Sequence, residues 1–184
     1  MKLLLSVIVA TVMAMVGPVF AGEPKDKVKV GFVYVGPTGD HGWTYRHDIG
    51  RQQVEEAFGD RVETTFIESV NYGPDAERVF RQMAMSGHDI IFGTSFGYMD
   101  AMRKVAEEFP DVKFEHATGY KSNDTNFANY GLRLYQARHV QGIIAGMMTK
   151  TNKICYVAAY PIPEVIREIN TYYLGAKKMN PKVD

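Results

Sequence analysis

The 184-residue chain predicts an α/β fold, a parallel sheet covered by helices on both faces. Three observations carry this. Short apolar runs alternate from Val28 onward with stretches whose apolar residues recur at helical spacing. Nearly every run ends in a loop rich in Gly, Pro or Asn. The unusual residue clusters fall just after the runs, where parallel sheets place their ligands.

The first run, Val28 to Val35, reads as a buried strand, and a helix follows from about Thr44 with Gly50, Val54, Ala57 and Phe58 on one face until Gly59-Asp60 ends it. Val62 to Ile67 alternates as a second strand. Asn71-Tyr72-Gly73-Pro74 turns into a helix whose inner face is Ala76, Val79, Phe80 and Met83. Asp89 to Phe92 is a third strand, followed by a helix facing inward through Met102, Val105, Ala106 and Phe109 and ended by Pro110. Val112 to Ala117 is a fourth strand. Residues 119–129 are polar and read as a loop, with Tyr130 to Leu134 a short crossing strand. Val140, Ile143, Ile144, Met147 and Met148 mark the core face of the next helix. Lys153 to Tyr160 reads as a strand broken by Pro161 and Pro163, and a last helix points Val165, Ile166, Ile169, Tyr172 and Tyr173 inward. Lys182-Val183-Asp184 reads as the start of one more strand.

The amino terminus stands outside this pattern. Lys2, the apolar run Leu3 to Val16 and the small-residue site Val19-Phe20-Ala21 are expected to be a cleaved secretory leader over residues 1–21, too short for a favoured membrane span. No cysteine follows the run, so no lipid anchor is expected. Without Lys2, 20 of the 21 basic residues remain against 21 acidic, a formal charge of −1 that argues against nucleic acid or an anionic membrane as partner. The single Cys155 can form no internal disulfide. The exported chain is therefore expected to rely on an ordinary core, which 46% hydrophobic residues can supply.

Two loops carry the candidate chemistry. Gly36-Pro37-Thr38-Gly39-Asp40-His41-Gly42-Trp43-Thr44-Tyr45 follows the first strand, and its glycines let the backbone turn beside the only tryptophan. Asp40, His41, Trp43 and Tyr45 are the make-up of a site that stacks a flat ligand and hydrogen-bonds its edge; the alternative is that Trp43 packs under the first helix. Gly93-Thr94-Ser95-Phe96-Gly97 fits G-x-S-x-G between strand and helix, which would suit a secreted serine hydrolase with Ser95 as nucleophile. Against that reading, no oxyanion-type glycine run is apparent, and His116 and His139 fall in a strand and a helix rather than a late loop. A serine that hydrogen-bonds a ligand from a tight turn is the competing reading. The spacing of Gly36, Gly39 and Gly42 matches neither a dinucleotide fingerprint nor a P-loop, and the five histidines show no metal-ligand spacing, so neither a cofactor nor a metal is expected.

Several motifs agree in order and spacing with a known family. Lys29 to Val33 after a leader, Gly39-Asp40-His41-Gly42-Trp43, Thr94-Ser95-Phe96-Gly97, Phe114-Glu115-His116-Ala117-Thr118-Gly119, Gln141 to Gly146, and Pro161-Ile162-Pro163-Glu164-Val165 followed by Ile169-Asn170 resemble the basic-membrane-protein family of substrate-binding proteins. The resemblance covers nearly all of the mature chain. It implies a type I periplasmic-binding fold, two α/β lobes that close on a purine base or nucleoside and deliver it to the permease subunits of an ATP-driven importer in the periplasm, or outside the cell where there is no outer membrane. On this chain it implies an acidic contact from Asp40, stacking from Trp43, cleft contacts from Ser95 and Phe96, and Ile162-Pro163 from the second lobe. Many members carry Asp-x-Ser-Phe-Asn where this chain has Asp40-His41-Gly42-Trp43-Thr44, and the missing Asn favours a bare nucleobase. The implied organisation is a first lobe over 22–150 and the opening of a second over 151–184.

Overall fold

The structure, a computed structural model, describes residues 26–184; the leader expected over residues 1–21 lies outside them. Five strands, β1 (Val28–Val33), β2 (Val62–Ile67), β3 (Ile90–Gly93), β4 (Lys113–Ala117) and β5 (Phe127–Tyr130), form one parallel sheet in the order β2-β1-β3-β4-β5. The helices are α1 (Trp43–Phe58), α2 (Pro74–Met85), α3 (Met99–Glu108), α4 (Leu134–Met148) and α5 (Pro163–Met179). The chain leaves β1 for β2 on one side and returns to β3 on the other. The loops after β1 and β3 therefore diverge, and such a reversal of strand order leaves a crevice at the carboxyl ends.

Burial explains why the sheet forms where it does. Val33, Ile91, Phe114 and Phe127 point from four strands onto α2 and α3, meeting Ala76, Val79, Phe80, Met83, Met102, Val105 and Ala106 in one buried cluster. These are the positions that helical spacing marks as inward. On the opposite face Val30, Phe32 and Tyr34 pack with Ile90 and Phe92, with the Phe32 and Phe92 rings stacked at 4.9 Å.

Four expectations from periodicity need correction. The buried residues of α1 are Thr44 and Asp48, not the expected stripe, of which Phe58 is 46% exposed. Asp48 accepts from Tyr34 Oη at 3.3 Å, Arg51 Nε at 2.7 Å and Gln52 Nε2 at 2.7 Å, while Arg51 also donates to Thr64 Oγ1 at 2.9 Å. A phenol that reaches the underside of α1 needs a polar partner there, and this excludes an apolar stripe.

The fifth strand lies at Phe127–Tyr130, partly inside the stretch expected to be loop, and residues 131–133 are not strand. Asparagines mislead the reading. Asn126 is buried and its Nδ2 donates to the carbonyls of Ala106, Phe109 and Val112, each at 2.9 Å, while Asn123 Oδ1 accepts from the backbone N–H groups of Thr125, Asn126 and Phe127. These polar side chains take the place of backbone partners within the fold.

Residues 153–160 are neither helix nor strand and form no ladder among the described residues, and Val157 is 98% exposed. One rung is present. Asp184 N donates to Asn152 O at 2.7 Å and Ile154 N to Asp184 O at 3.2 Å, the bond pair of a parallel bridge between Lys153 and Asp184. Cys155, in the same run, is exposed.

The expected core faces of the last two helices are also displaced. Val140, Ile144, Met147, Met148, Ile166 and Tyr173 are exposed, and α4 and α5 instead meet through Gly142, Gly146, Gly175 and Ala176. A methyl on Gly142 would lie 1.9 Å from Tyr172 O, one on Gly146 2.5 Å from Ala176 O, and one on Gly175 2.2 Å from His139 O. The helix backbones are thus in direct contact.

Gly142→Ala should force α4 and α5 apart and lower stability by about 1–3 kcal/mol. In Gly50→Ala, where the added methyl meets nothing within 4 Å, the better helix former should raise stability by up to about 1 kcal/mol. Urea denaturation of both variants checks the pair, and a neutral Gly142→Ala would contradict the close packing.

Candidate functional site

The carboxyl ends of the strands open onto a cavity of about 470 Å³, closed on its far side by the segment 156–160 and the start of α5. That volume suits a small-molecule site. One wall carries Val35, Trp43, Tyr72, Ser95, Phe96 and Thr118; the other carries Tyr156, Tyr160, Ile162 and Val165, with Arg138, Glu164 and Glu168 as its charged groups.

Trp43 opens α1 and is 40% exposed. Its indole Nε1 donates to Thr94 O at 2.5 Å, and the His47 ring packs at 4.6 Å with Nδ1 bonded to Trp43 O at 2.9 Å. With the only polar atom of the indole occupied by backbone, what the ring offers the cavity is its π face.

Asp40 lines neither this cavity nor its neighbour. Its carboxylate accepts from Gly42 N at 2.7 Å, Tyr45 N at 3.0 Å and Thr44 N at 3.1 Å, capping the first turn of α1. Desolvation pushes its pKa up, and the three backbone donors outweigh this to leave it below the usual carboxylate range. His41, held at φ 53, packs on Tyr45 at 5.5 Å, and neither reaches the cavity. Of the candidates, Trp43, Ser95, Phe96 and Ile162 share the main cavity; Pro163 lines a smaller one beside it.

Ser95 is buried and extended, at φ −148 and ψ 143, where a nucleophile elbow would need a strained turn. Its Oγ lies 2.9 Å from Tyr72 Oη. His116 donates from Nε2 to the backbone carbonyl of Ser95 at 2.8 Å rather than serving the hydroxyl. The two glycines of the motif have packing reasons: a methyl on Gly93 would lie 2.1 Å from Met102 Sδ, and one on Gly97 2.6 Å from the Tyr72 ring.

On the far wall, Glu168 is buried and its Oε2 accepts from Arg138 Nε at 3.0 Å and Tyr156 Oη at 3.4 Å. Glu164 stands near it, and its pKa is raised by desolvation and by the neighbouring Glu168 charge, against the pull of Arg167. The wall therefore offers one neutralised carboxylate and a second that favours its protonated form more than a free glutamate would. Tyr72, Thr118, Tyr156, Arg138, Glu164 and Glu168 were not among the sequence candidates. The strand-end rule that marks residues 40–45 and 93–98 applies equally to Tyr72 after β2 and Thr118 after β4. No comparable signal marks Arg138 or Glu168, which lie within helices.

A parallel-sheet lobe with its strand-end loops facing an aromatic-lined cavity has the fold of the solute-binding proteins of ABC transport. Such a protein from Aeropyrum pernix superimposes with a TM-score of 0.71 at 23% identity, over 84% of this chain and 44% of its own. Residues 27–184 match the profile of PnrA-like ABC transporter substrate-binding proteins, the Bmp family, and the chain belongs to that family. Similar curated relatives are a purine-binding protein from Brucella abortus, 53% identical over 161 residues, and a putative ABC transporter glucose-binding protein from Haloferax volcanii, 48% identical over 157. These stretches cover 88% and 85% of this chain but 46% and 39% of the relatives, so the chain spans less than half of their length. The family is one of substrate-binding proteins, not of enzymes.

Two outcomes follow at Ser95 and its support. A fluorophosphonate probe should not label Ser95, and Ser95→Ala should lower stability by about 1 kcal/mol through the lost bond to Tyr72; specific labelling would restore the hydrolase reading. Burial holds the His116 imidazole below its usual range, against the opposing pull of its bonds to the Ser95 and Phe96 backbone. The unfolded chain takes up that proton near pH ~6.5 and the folded chain only at lower pH, so this contribution to stability is complete above ~6.5 and declines as the pH falls below it. His47 shifts the same way through burial. Urea melts at about pH 7.5 and 5.5 should show His116→Gln losing less stability on acidification than the parent.

Proposed function

We propose that the full-length protein binds a purine, as base or nucleoside, in the 470 Å³ cavity and presents it to the permease subunits of an ABC importer. The sheet with α1, α2 and α3 forms the first lobe, and α4 goes with α5 into the opening of the second, a boundary earlier than position 150 because α4 packs chiefly on α5; the leader at 1–21 exports the chain to the periplasm or its equivalent. Among the described residues no helix is long and apolar enough to cross a membrane. The observation that carries the ligand class is Trp43: its N–H is fixed to Thr94 O, and its ring stands with Tyr72 and Phe96 around a cavity whose polar groups are few. Flat heteroaromatic rings stack on such surfaces, and polar groups such as the buried Ser95 and the half-buried Glu164 can read the edge of the ring. The Brucella relative named as purine-binding supports the same reading. The halophile relative carries a sugar in its name, and sugars are therefore the comparison ligands.

Trp43 is the only tryptophan, so its fluorescence reports on the site. Adenine, guanine, hypoxanthine or their nucleosides should change the emission of the native full-length protein, and Trp43→Ala should weaken binding about tenfold or more. Calorimetry that finds no purine binding but tight glucose binding would overturn the purine reading and leave the family assignment in place.

A further inference from the structure

Three polar contacts of the main cavity are closed within the protein. The Trp43 N–H is bonded to Thr94 O, Ser95 Oγ and Tyr72 Oη share a bond of 2.9 Å, and Arg138 Nε donates to Glu168 Oε2 at 3.0 Å. Glu164 differs from these. Its side chain is half-buried and forms no hydrogen bond or ion pair among the described residues. Arg167 is near enough to attract it, but lies over the Tyr135 ring at 5.1 Å and makes no bond to it. The charged groups lining the cavity are Arg138, Glu164 and Glu168, and since Arg138 answers Glu168, the negative charge left over is that of Glu164. Burial and the neighbouring Glu168 make this charge costly. A ligand that brings N–H donors relieves the cost, and one that brings a lone pair adds to it.

Position decides which part of a ligand Glu164 meets. Together with Phe96 and Thr118 it lines both the main cavity and a smaller one of about 210 Å³ beside it, so it stands on the border between the two. A flat ring lying on Trp43 turns its edge, not its face, to such a border. A carboxylate has two oxygens side by side and is best satisfied by two adjacent donors. Ser95 and Tyr72 line the main cavity alone, and the one bond between their hydroxyls uses one hydrogen and leaves the other O–H as a donor. The cavity therefore complements a ring with paired donors on one edge and an acceptor elsewhere.

We infer that Glu164 selects among purines, its carboxylate accepting from the adjacent N1–H and 2-amino group of a guanine-type ring stacked on Trp43. This rests on the purine reading of the main cavity. Guanine also carries O6 and N7 as acceptors for the free hydroxyl hydrogen. Hypoxanthine keeps the N1–H but lacks the second donor, and adenine turns the N1 lone pair towards the same edge.

Calorimetry on the native full-length protein with guanosine, inosine and adenosine, and with the base of each, tests the assignment. The guanine ring should bind about tenfold or more tighter than the hypoxanthine ring, and the adenine ring weaker still. This ranking needs no variant, so it stands whether or not a variant folds. Glu164→Gln keeps the shape of the side chain but loses the charge and one acceptor. It should cut affinity for the guanine ring about tenfold or more and change that for the adenine ring less than about threefold. A guanine ring bound no tighter than hypoxanthine, an adenine ring bound tightest, or a variant that leaves guanine affinity unchanged or weakens all three alike would overturn the assignment and leave the purine site standing. If no purine binds, the purine reading falls and this one with it.

Discussion

The site depends on a clasp between the ends of β1 and β3. Thr94 is fully buried, and both its N–H and its Oγ1 donate to Val33 O, at 3.1 and 3.0 Å. Its own carbonyl receives the Trp43 indole. Each such bond contributes only about 0.5–1.5 kcal/mol net, but leaving any of these buried groups unpaired would cost more, so the arrangement is held by what its loss would expose. The next residue extends the clasp: Ser95 is held through its carbonyl by His116 of β4 and through its hydroxyl by Tyr72 from the loop after β2. Four strand ends are thereby fixed relative to one another at the point where the strand order reverses, and two rings of the cavity are tied to them, the Trp43 indole through the Thr94 carbonyl and the Tyr72 phenol through the Ser95 hydroxyl.

The far wall is placed by a different device. Where two helix backbones touch at glycines, relative sliding or rotation brings carbonyl against Cα, so the contact specifies one geometry. Gly142, Gly146 and Gly175 give α4 and α5 that contact, and Arg138 of α4 reaches Glu168 of α5 beside it. The pair then carries Ile162, Glu164 and Glu168 to the cavity as one unit.

Sequence periodicity was informative where apolar side chains make the packing and silent where polar or absent side chains make it. Ala76, Val79, Phe80 and Met83 of α2 and Met102, Val105 and Ala106 of α3 are buried as their spacing predicts, because those helices lie on the apolar face of the sheet. On α4 the same rule selected Val140, Ile144 and Met147, which are exposed, since a glycine face has no hydrophobic signal of its own. The strand at Phe127–Tyr130 was hidden by asparagines that act as backbone partners. At the site, Trp43, Ser95 and Phe96 were legible as loop residues after strands, whereas Asp40 carried the right chemistry for a ligand contact but is taken up by the first turn of α1. Composition alone does not separate a carboxylate that caps a helix from one that binds a solute.

The polar attachment of α1 has a consequence for the tryptophan at its start. An apolar underside is tolerant, since burial is nearly indifferent to rotation and a helix can slip a fraction of a turn at little expense. Hydrogen bonds weaken steeply with misalignment. Asp48, gripped by Tyr34 from below and by Arg51 and Gln52 alongside, with Arg51 reaching on to Thr64, gives α1 an angular setting as well as a position. Trp43 lies little more than one turn away on the same rigid rod. The helix works like a keyed shaft: the key is cut at Asp48, and the part it orients is the indole ring at the rim of the cavity.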